Sequence, residues 1–270
     1  MKTRERTKKM AECALMIAFA TVLSVIPLAH LPYGGSITVA SMLPIVLISY
    51  RRGLGWGMGA GLVFGVIQQL LGLSNLSYFT TWQSIVAIIL LDYLIAFGVV
   101  GLGGLFRRSP FSQRHALALG SLFVSVLRYL CHVVSGATVW AGLSIPTEAA
   151  LGYSLAYNAT YMIPEAVVLV LAAFYLGGVL DFGSEELRRL APARGGSRAK
   201  AWLGAGAGLA VTFALVFDTV AVFSRLQSPE TGELDLTRLA TVPWTGIILV
   251  SLSCAFVATL LLLCAKRLKR

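Results

Sequence analysis

Polar and ionisable side chains occur inside several long apolar segments of this sequence, where removing them from water is costly. These candidates for chemistry are Asp92, Arg128, His132, Asn158, Glu165 and Asp218. A lone carboxylate away from water needs a cation or hydrogen-bond donors, and aromatic faces attract cationic rings. The residue types therefore favour binding of a flat, positively charged heterocycle over a catalysed reaction.

The spacing of these residues places several of them on common helical faces. Arg128, His132, Gly136 and Trp140 recur every four residues, so they line one face of a helix. At 1.5 Å per residue, His132 lies about 15 Å below the outer end of its helix, and Asp92 about 16 Å below that of the preceding one.

Aromatic and amide side chains accompany these residues in the outer half of the neighbouring helices. They are Trp82, Tyr93, Tyr153, Tyr157, Asn158 and Tyr161. One hypothesis is a pocket open to the outside. The alternative is that the aromatics form an interfacial belt and that His132 is a packing residue.

Arg128 and Glu165 call for a separate interpretation, because both lie about 21 to 22 Å from the outer ends of adjacent antiparallel helices. Buried charges must be paired. We predict a structural ion pair that forms a floor beneath the pocket.

Catalytic and metal-binding patterns are missing from the sequence. It has no Ser-His-Asp arrangement, no HExxH and no pair of pocket carboxylates, so we expect no enzyme activity and no cofactor. The four cysteines have neither CxxC nor metal-ligand spacing, and no metal site is predicted. A net charge of +10 is divided into short basic clusters, which does not favour nucleic acid binding.

The elements that must position these residues are transmembrane helices, since 57% of the residues are hydrophobic and only 13% are charged. A span needs about 20 apolar residues. We predict an all-α integral membrane protein with eight helices near 10–28, 37–50, 54–72, 81–105, 116–142, 150–177, 202–224 and 243–265. The second begins in LPYGGSIT and is expected to be partly irregular, and Gly57, Gly61 and Gly65 predict close packing of the third.

Basic residues fall at alternate breaks between these helices. Lys and Arg cluster before the first helix, at Arg51 and Arg52, around 107–114, between 188 and 200, and at the end of the chain. The positive-inside rule therefore predicts that both termini are cytoplasmic. The basic stretch 178–201 is predicted to be a linker between a six-helix domain, 1–177, and a two-helix extension, 202–270.

Four stretches resemble the thiamine-specific substrate-binding (S) component of energy-coupling factor transporters. They are SYRRGLGWGMGAGLVFG, LLDYLIAFGVVGLGGLFR, LRYLCHVVSGATVW and GYSLAYN, in order within about residues 10–177. The resemblance implies a prokaryotic multi-pass protein that binds thiamine from outside. It also implies a transmembrane T component and two cytoplasmic ATP-binding subunits as partners.

The resemblance assigns roles to individual residues. The family's thiamine contacts correspond to Trp82, Asp92, Tyr93, His132, Gly136, Trp140, Tyr153 and Asn158. Its small-xxx-small face for docking the T component corresponds to Ala14 and Ala18. Two departures stand out: Gly35 replaces a stacking Trp of some members, and Asp92 is one methylene shorter than the usual glutamate.

Two other functions are compatible with the same residues. One is an S component for another vitamin. The other is a self-sufficient secondary transporter in which Asp92, His132 and Glu165 carry protons. The family resemblance gives no role to the last two helices.

Overall fold

The computed structural model describes residues 2–31, 35–143, 145, 147–190, 198–228 and 235–268, and these residues are mainly helical. The helices are α1 (Lys2–Ser24), α2 (Leu43–Arg52), α3 (Leu54–Leu71), α4 (Trp82–Arg108), α5 (Gln113–Thr138), α6 (Ala150–Val179), α7 (Arg198–Leu226) and α8 (Trp244–Arg267). Within this part of the chain, the six from α3 to α8 are long and apolar enough to cross a membrane. The predicted all-α membrane fold is confirmed.

The first two helices differ most from the predicted bounds. Helix α1 ends at Ser24 because Pro27 begins strand β1 (Pro27–His30), which pairs antiparallel with β2 (Ser36–Thr38). Helix α2 therefore starts only at Leu43, and its ten residues extend about 15 Å, too short to span a bilayer alone. Residues 43–50 are all buried, so protein surrounds them. The predicted irregular stretch is this hairpin, apart from residues 32–34, which lie outside the described part.

Glycines bring α3 and α4 into backbone contact, as predicted. A Cβ atom on Gly61 would lie 2.4 Å from the carbonyl oxygen of Phe97, and one on Gly65 would lie 2.7 Å from that of Tyr93. No side chain fits at such distances. The glycine face therefore fixes the position of the α4 segment that carries Asp92 and Tyr93.

Helix α4 is irregular where it carries the candidate carboxylate. Residues Ile89–Ile95 form a π-helical segment, which has a wider turn than the α-helical turns before it. Such segments change which face the following residues present and often occur at functional sites. Asp92 lies in this segment and is buried.

Helices α5 and α6 pack closely where Gly136 of α5 meets Ser154 of α6. A Cβ atom on Gly136 would lie 2.2 Å from Ser154 Oγ. The Ser154 hydroxyl donates a hydrogen bond to the carbonyl of Val133 at 2.8 Å. The small residue at 136 thus allows the polar faces of the two helices to meet.

The region predicted to be a linker is partly folded. Helix α6 continues to Val179, and a short hairpin follows, formed by β3 (Leu180–Asp181) and β4 (Arg188–Arg189). Arg51 ties this hairpin to the bundle, because its guanidinium donates to the carbonyls of Ser184 and Glu185. Residues 191–197 of the predicted linker lie outside the described residues.

Candidate functional site

A cavity of about 490 Å³ lies among α3, α4, α5, α6 and the β1–β2 hairpin. This is within the usual size range of small-molecule sites. Six of the predicted site residues line it: Asp92, Tyr93, His132, Gly136, Trp140 and Asn158. Arg128, His132 and Gly136 of α5 therefore border a cavity, as the four-residue spacing predicted. Trp140 reaches the same cavity from beyond the end of the helix at Thr138, so its predicted place on the helical face is wrong.

The Asp92 carboxylate is held by two donors from α5 and the residues after it. Trp140 Nε1 donates to Oδ2 at 2.9 Å, and His132 Nδ1 lies 3.0 Å from Oδ1. Asp92 is only 9% exposed, so these two bonds offset part of the cost of burying its charge. Its two partners lie 40 and 48 residues away in the sequence.

The contact with Asp92 also assigns the tautomer of His132. An ionised carboxylate only accepts hydrogen bonds, so the His132 proton is assigned to Nδ1. Nε2 is then an acceptor, and it is buried without a hydrogen-bond partner among the described residues. His132 thus provides an acceptor at the cavity for a ligand N–H or O–H group.

The predicted ion pair between Arg128 and Glu165 is present beneath these residues. Arg128 Nη1 lies 2.5 Å from Glu165 Oε2, and its guanidinium lies over the Phe97 ring at 4.8 Å from the centroid. The Thr38 hydroxyl donates to Glu165 Oε1 at 2.9 Å, which joins β2 to the same pair. Arg128 lines the cavity, whereas Glu165 lies behind it.

The charges of these buried groups do not sum to zero. Arg128 and Glu165 neutralise each other, and His132 is assigned as neutral because an imidazolium would leave a buried Nε2–H without an acceptor among the described residues. Asp92 remains as a negative charge whose partners are both neutral donors. A cationic ligand would compensate this charge in a region of low dielectric, whereas an anion would be repelled.

The Asn158 side chain lines the cavity, but its amide bonds to other protein groups of the cavity wall. Its Nδ2 donates to the carbonyls of Ser154 and His132 at 3.0 and 3.3 Å, and its Oδ1 accepts from the Tyr161 hydroxyl at 2.7 Å. Both ends of the amide are therefore engaged within the protein. This arrangement holds α6 and the Tyr161 ring against α5.

Tyr93 is anchored from the end of α3. Its hydroxyl accepts a hydrogen bond from Asn75 Nδ2 at 3.2 Å. Gln68 Nε2 donates to Ser24 Oγ at 2.8 Å and joins α3 to α1 at the cavity. Neither amide was predicted as a site residue from the sequence, although Gln68 is a polar residue inside an apolar helix, as Asn158 is.

Two predicted contacts lie elsewhere. Trp82 is 70% exposed and is not among the residues that line the cavity. Tyr153 also lies outside the lining and packs against the apolar cluster behind it. An aromatic residue at the start of a helix can face either lipid or the protein interior. The stretch between Trp82 and Asp92 also enters the π-helical segment, where regular helical spacing no longer applies. The sequence therefore could not predict which way Trp82 faces.

The wall near Gly35 is occupied by a tyrosine. A Cβ atom at Gly35 would lie 3.1 Å from the ring of Tyr161, which lines the cavity together with Tyr157. These two residues belonged to the predicted aromatic stripe of α6. They provide aromatic surface on the side where the sequence has no tryptophan.

The other predicted functional residues lie far from the cavity lining. Ala14 and Ala18 are both exposed on α1 and leave a small-residue face open. Asp218 lies on α7 and accepts a hydrogen bond from the Ser251 hydroxyl of α8 at 2.6 Å.

Comparisons with known proteins agree on one family. The model of the thiamine transporter protein family matches residues 10–180. The chain is 34% identical to thiamine transporter ThiT of Bacillus subtilis, over 62% of this chain and 89% of that protein. It is 28% identical to ThiT of Lacticaseibacillus paracasei, over 58% and 81%.

A solved structure of ThiT from Listeria monocytogenes is similar in fold. It has 25% sequence identity and a TM-score of 0.54, and the match covers 64% of this chain and 94% of that one. The family match ends at residue 180, before α7 begins.

Proposed function

The chain belongs to the thiamine transporter protein family, and we propose that it captures thiamine as the substrate-binding component of an energy-coupling factor transporter. The observation that carries this proposal is the buried Asp92 carboxylate, held by His132 and Trp140 at a cavity of about 490 Å³. Thiamine combines a permanently cationic thiazolium ring with an aminopyrimidine. The first needs a negative charge and aromatic faces, and the second needs hydrogen-bond acceptors.

The cavity offers each of these features separately. Asp92 supplies the net negative charge, and Trp140, Tyr157 and Tyr161 supply aromatic surface for a flat cation. His132 lines the cavity, and its Nε2, buried and without a hydrogen-bond partner among the described residues, would accept from the exocyclic amino group of the pyrimidine. Asn158 acts through Tyr161 and His132, because its own amide is already satisfied.

The Arg128–Glu165 pair has a supporting role in this proposal. Its charges cancel at the base of the cavity, and its contacts reach α4, α5, α6 and β2. The pair thus holds the helices that carry the ligand contacts in register. It does not need to touch thiamine.

Uptake requires an energy source outside this chain in the proposed scheme. A transmembrane T component and two ATP-binding subunits would supply it, with the exposed Ala14–Ala18 face of α1 as the contact to the T component. Small residues at this spacing allow close approach of two helices. In this arrangement both termini are cytoplasmic and the cavity opens outward.

Titration of the purified protein with thiamine, followed by quenching of intrinsic Trp fluorescence, tests the capture step. We expect saturable binding at submicromolar concentration. In Trp140→Ala the quenching signal falls and the affinity is lost, and binding in this variant is measured with radiolabelled thiamine. Wild-type protein that shows no binding at micromolar thiamine would refute the proposal.

Reconstitution in vesicles tests the coupling step. Uptake should require the T component, the ATP-binding subunits and ATP, and a proton gradient alone should not drive it. Gradient-driven uptake by the isolated chain would instead indicate a secondary transporter.

A further inference from the structure

Helix α7 packs against the cavity wall and α8 packs against α7, although the family match ends before both helices. The ring of Phe223, near the end of α7, lies 5.7 Å from the ring of Tyr157 at an interplanar angle of 66°. Tyr157 lines the cavity, and it is also in edge-to-face contact with Tyr161 at 6.0 Å. A residue of the extension therefore touches the back of a cavity-lining ring.

The contact between Phe223 and Tyr157 is well buried. Phe223 is 5% exposed and Tyr157 is 8% exposed. Leu226 and Val242 belong to the same apolar cluster, which also contains Ala29 and Leu31 beside the β1–β2 hairpin. Helix α7 packs directly against β1, so the extension supports two walls of the cavity, the outer part of α6 and the hairpin.

Phe213, also on α7, is exposed whereas Phe223 is buried. Phe213, almost three turns before Phe223, is 60% exposed and stacks only on Phe217 of its own helix among the ring contacts of the described residues. Among the described residues, Phe223 therefore has a ring contact with the cavity wall, whereas Phe213 has none.

We propose that the two-helix extension is a brace for the binding site, in which Phe223 is a positioning residue that holds Tyr157 in the ligand-binding conformation. This inference rests on the proposed thiamine capture. Without the brace, the Tyr157 ring and the hairpin occupy non-binding positions for a larger fraction of the time. The apparent dissociation constant then rises in inverse proportion to the remaining binding-competent fraction.

The test compares Phe223→Ala with Phe213→Ala in the full chain, since both variants remove the same ring from the same helix. Stopped-flow Trp fluorescence gives the association and dissociation rates for thiamine. An edge-to-face aromatic pair in a buried cluster corresponds to a change of about three- to tenfold. We expect the apparent dissociation constant of Phe223→Ala to rise by this factor, through slower association, with the constant and rates for Phe213→Ala equal to those of wild type.

Further measurements separate positioning from simple stability. Phe223→Leu keeps most of the apolar volume and should fold with an intermediate apparent dissociation constant. It therefore tests the inference even if the alanine variant fails to fold. In the double variant Phe223→Ala/Tyr157→Leu, the effect of Phe223 should disappear, because it acts through Tyr157.

Three results would overturn the brace. The first is an apparent dissociation constant of Phe223→Ala equal to that of Phe213→Ala, the second is a lower thermal midpoint with unchanged thiamine binding, and the third is full additivity with Tyr157→Leu. If the wild-type protein binds no thiamine, both this inference and the proposed function fail. If wild type binds thiamine and the two alanine variants behave alike, only the brace fails.

Discussion

Replacing Asp92 with asparagine removes the uncompensated charge of the cavity while keeping the shape of the side chain. The amide can still accept from Trp140 Nε1 through its oxygen. Its NH2 group can donate to His132 Nδ1 once the histidine proton moves to Nε2. The variant is therefore expected to fold, and its main defect should be electrostatic.

The size of this defect follows from Coulomb's law. For a ligand cation about 5.5 Å from the carboxylate at an effective dielectric constant of about 20, the attraction is about 3 kcal/mol. An energy of this size corresponds to roughly a hundredfold in affinity. Asp92 is 9% exposed, so screening by solvent is weak.

The assay measures two ligands on each variant. Thiamine is compared with a neutral analogue whose thiazolium is replaced by an uncharged ring of the same size, by titration of Trp fluorescence with Trp140 intact. Asp92→Asn should weaken thiamine binding by roughly a hundredfold more than binding of the neutral analogue. The matched control is Asp218→Asn, which removes a carboxylate on α7 that contacts Ser251 outside the cavity.

The ratio of the two affinities is decisive. An equal loss for both ligands would mean that Asp92 acts through hydrogen bonds alone, and the charge argument would be wrong. A loss of thiamine affinity in Asp218→Asn as large as in Asp92→Asn would show that the effect does not depend on a carboxylate at the cavity. That result would refute the assignment of the charge to the cavity.

Three further substitutions test the fold and the site. Glu165→Gln leaves the Arg128 charge buried without its counter-ion, so the thermal midpoint should fall by several degrees while thiamine affinity changes less than about tenfold; the reverse pattern in thermal shift and titration would contradict a structural pair. Gly61→Val forces α3 away from the Phe97 carbonyl and should abolish folded protein in size-exclusion chromatography, whereas Gly59→Ala, with no atom near its Cβ position, should be tolerated. Trp82→Ala should leave thiamine affinity within about twofold, and a large loss would place Trp82 at the site.

Much of the helical architecture could be predicted from apolar segments of the sequence. Apolar segments predicted the positions of α3 to α8 within a few residues, because removal of backbone polar groups from water leaves helices as the way to cross a bilayer. Irregular backbone was expected near LPYGGSIT, but the antiparallel pairing of β1 with β2 was not predicted. It depends on burial of α2 by the surrounding helices, which is not a local property of residues 37–50.

The sequence by itself determined which groups are candidates for the site: a carboxylate, an imidazole and an indole in apolar segments, with Arg128, His132 and Gly136 on one helical face by four-residue spacing. The tertiary structure decided that the indole of Trp140 reaches Asp92, that Trp82 does not, and that Phe223 stands behind Tyr157. Spacing fixes relative positions within one helix. The rotation of one helix against another depends on the π-helical segment of α4 and on glycine contacts between residues far apart in the chain.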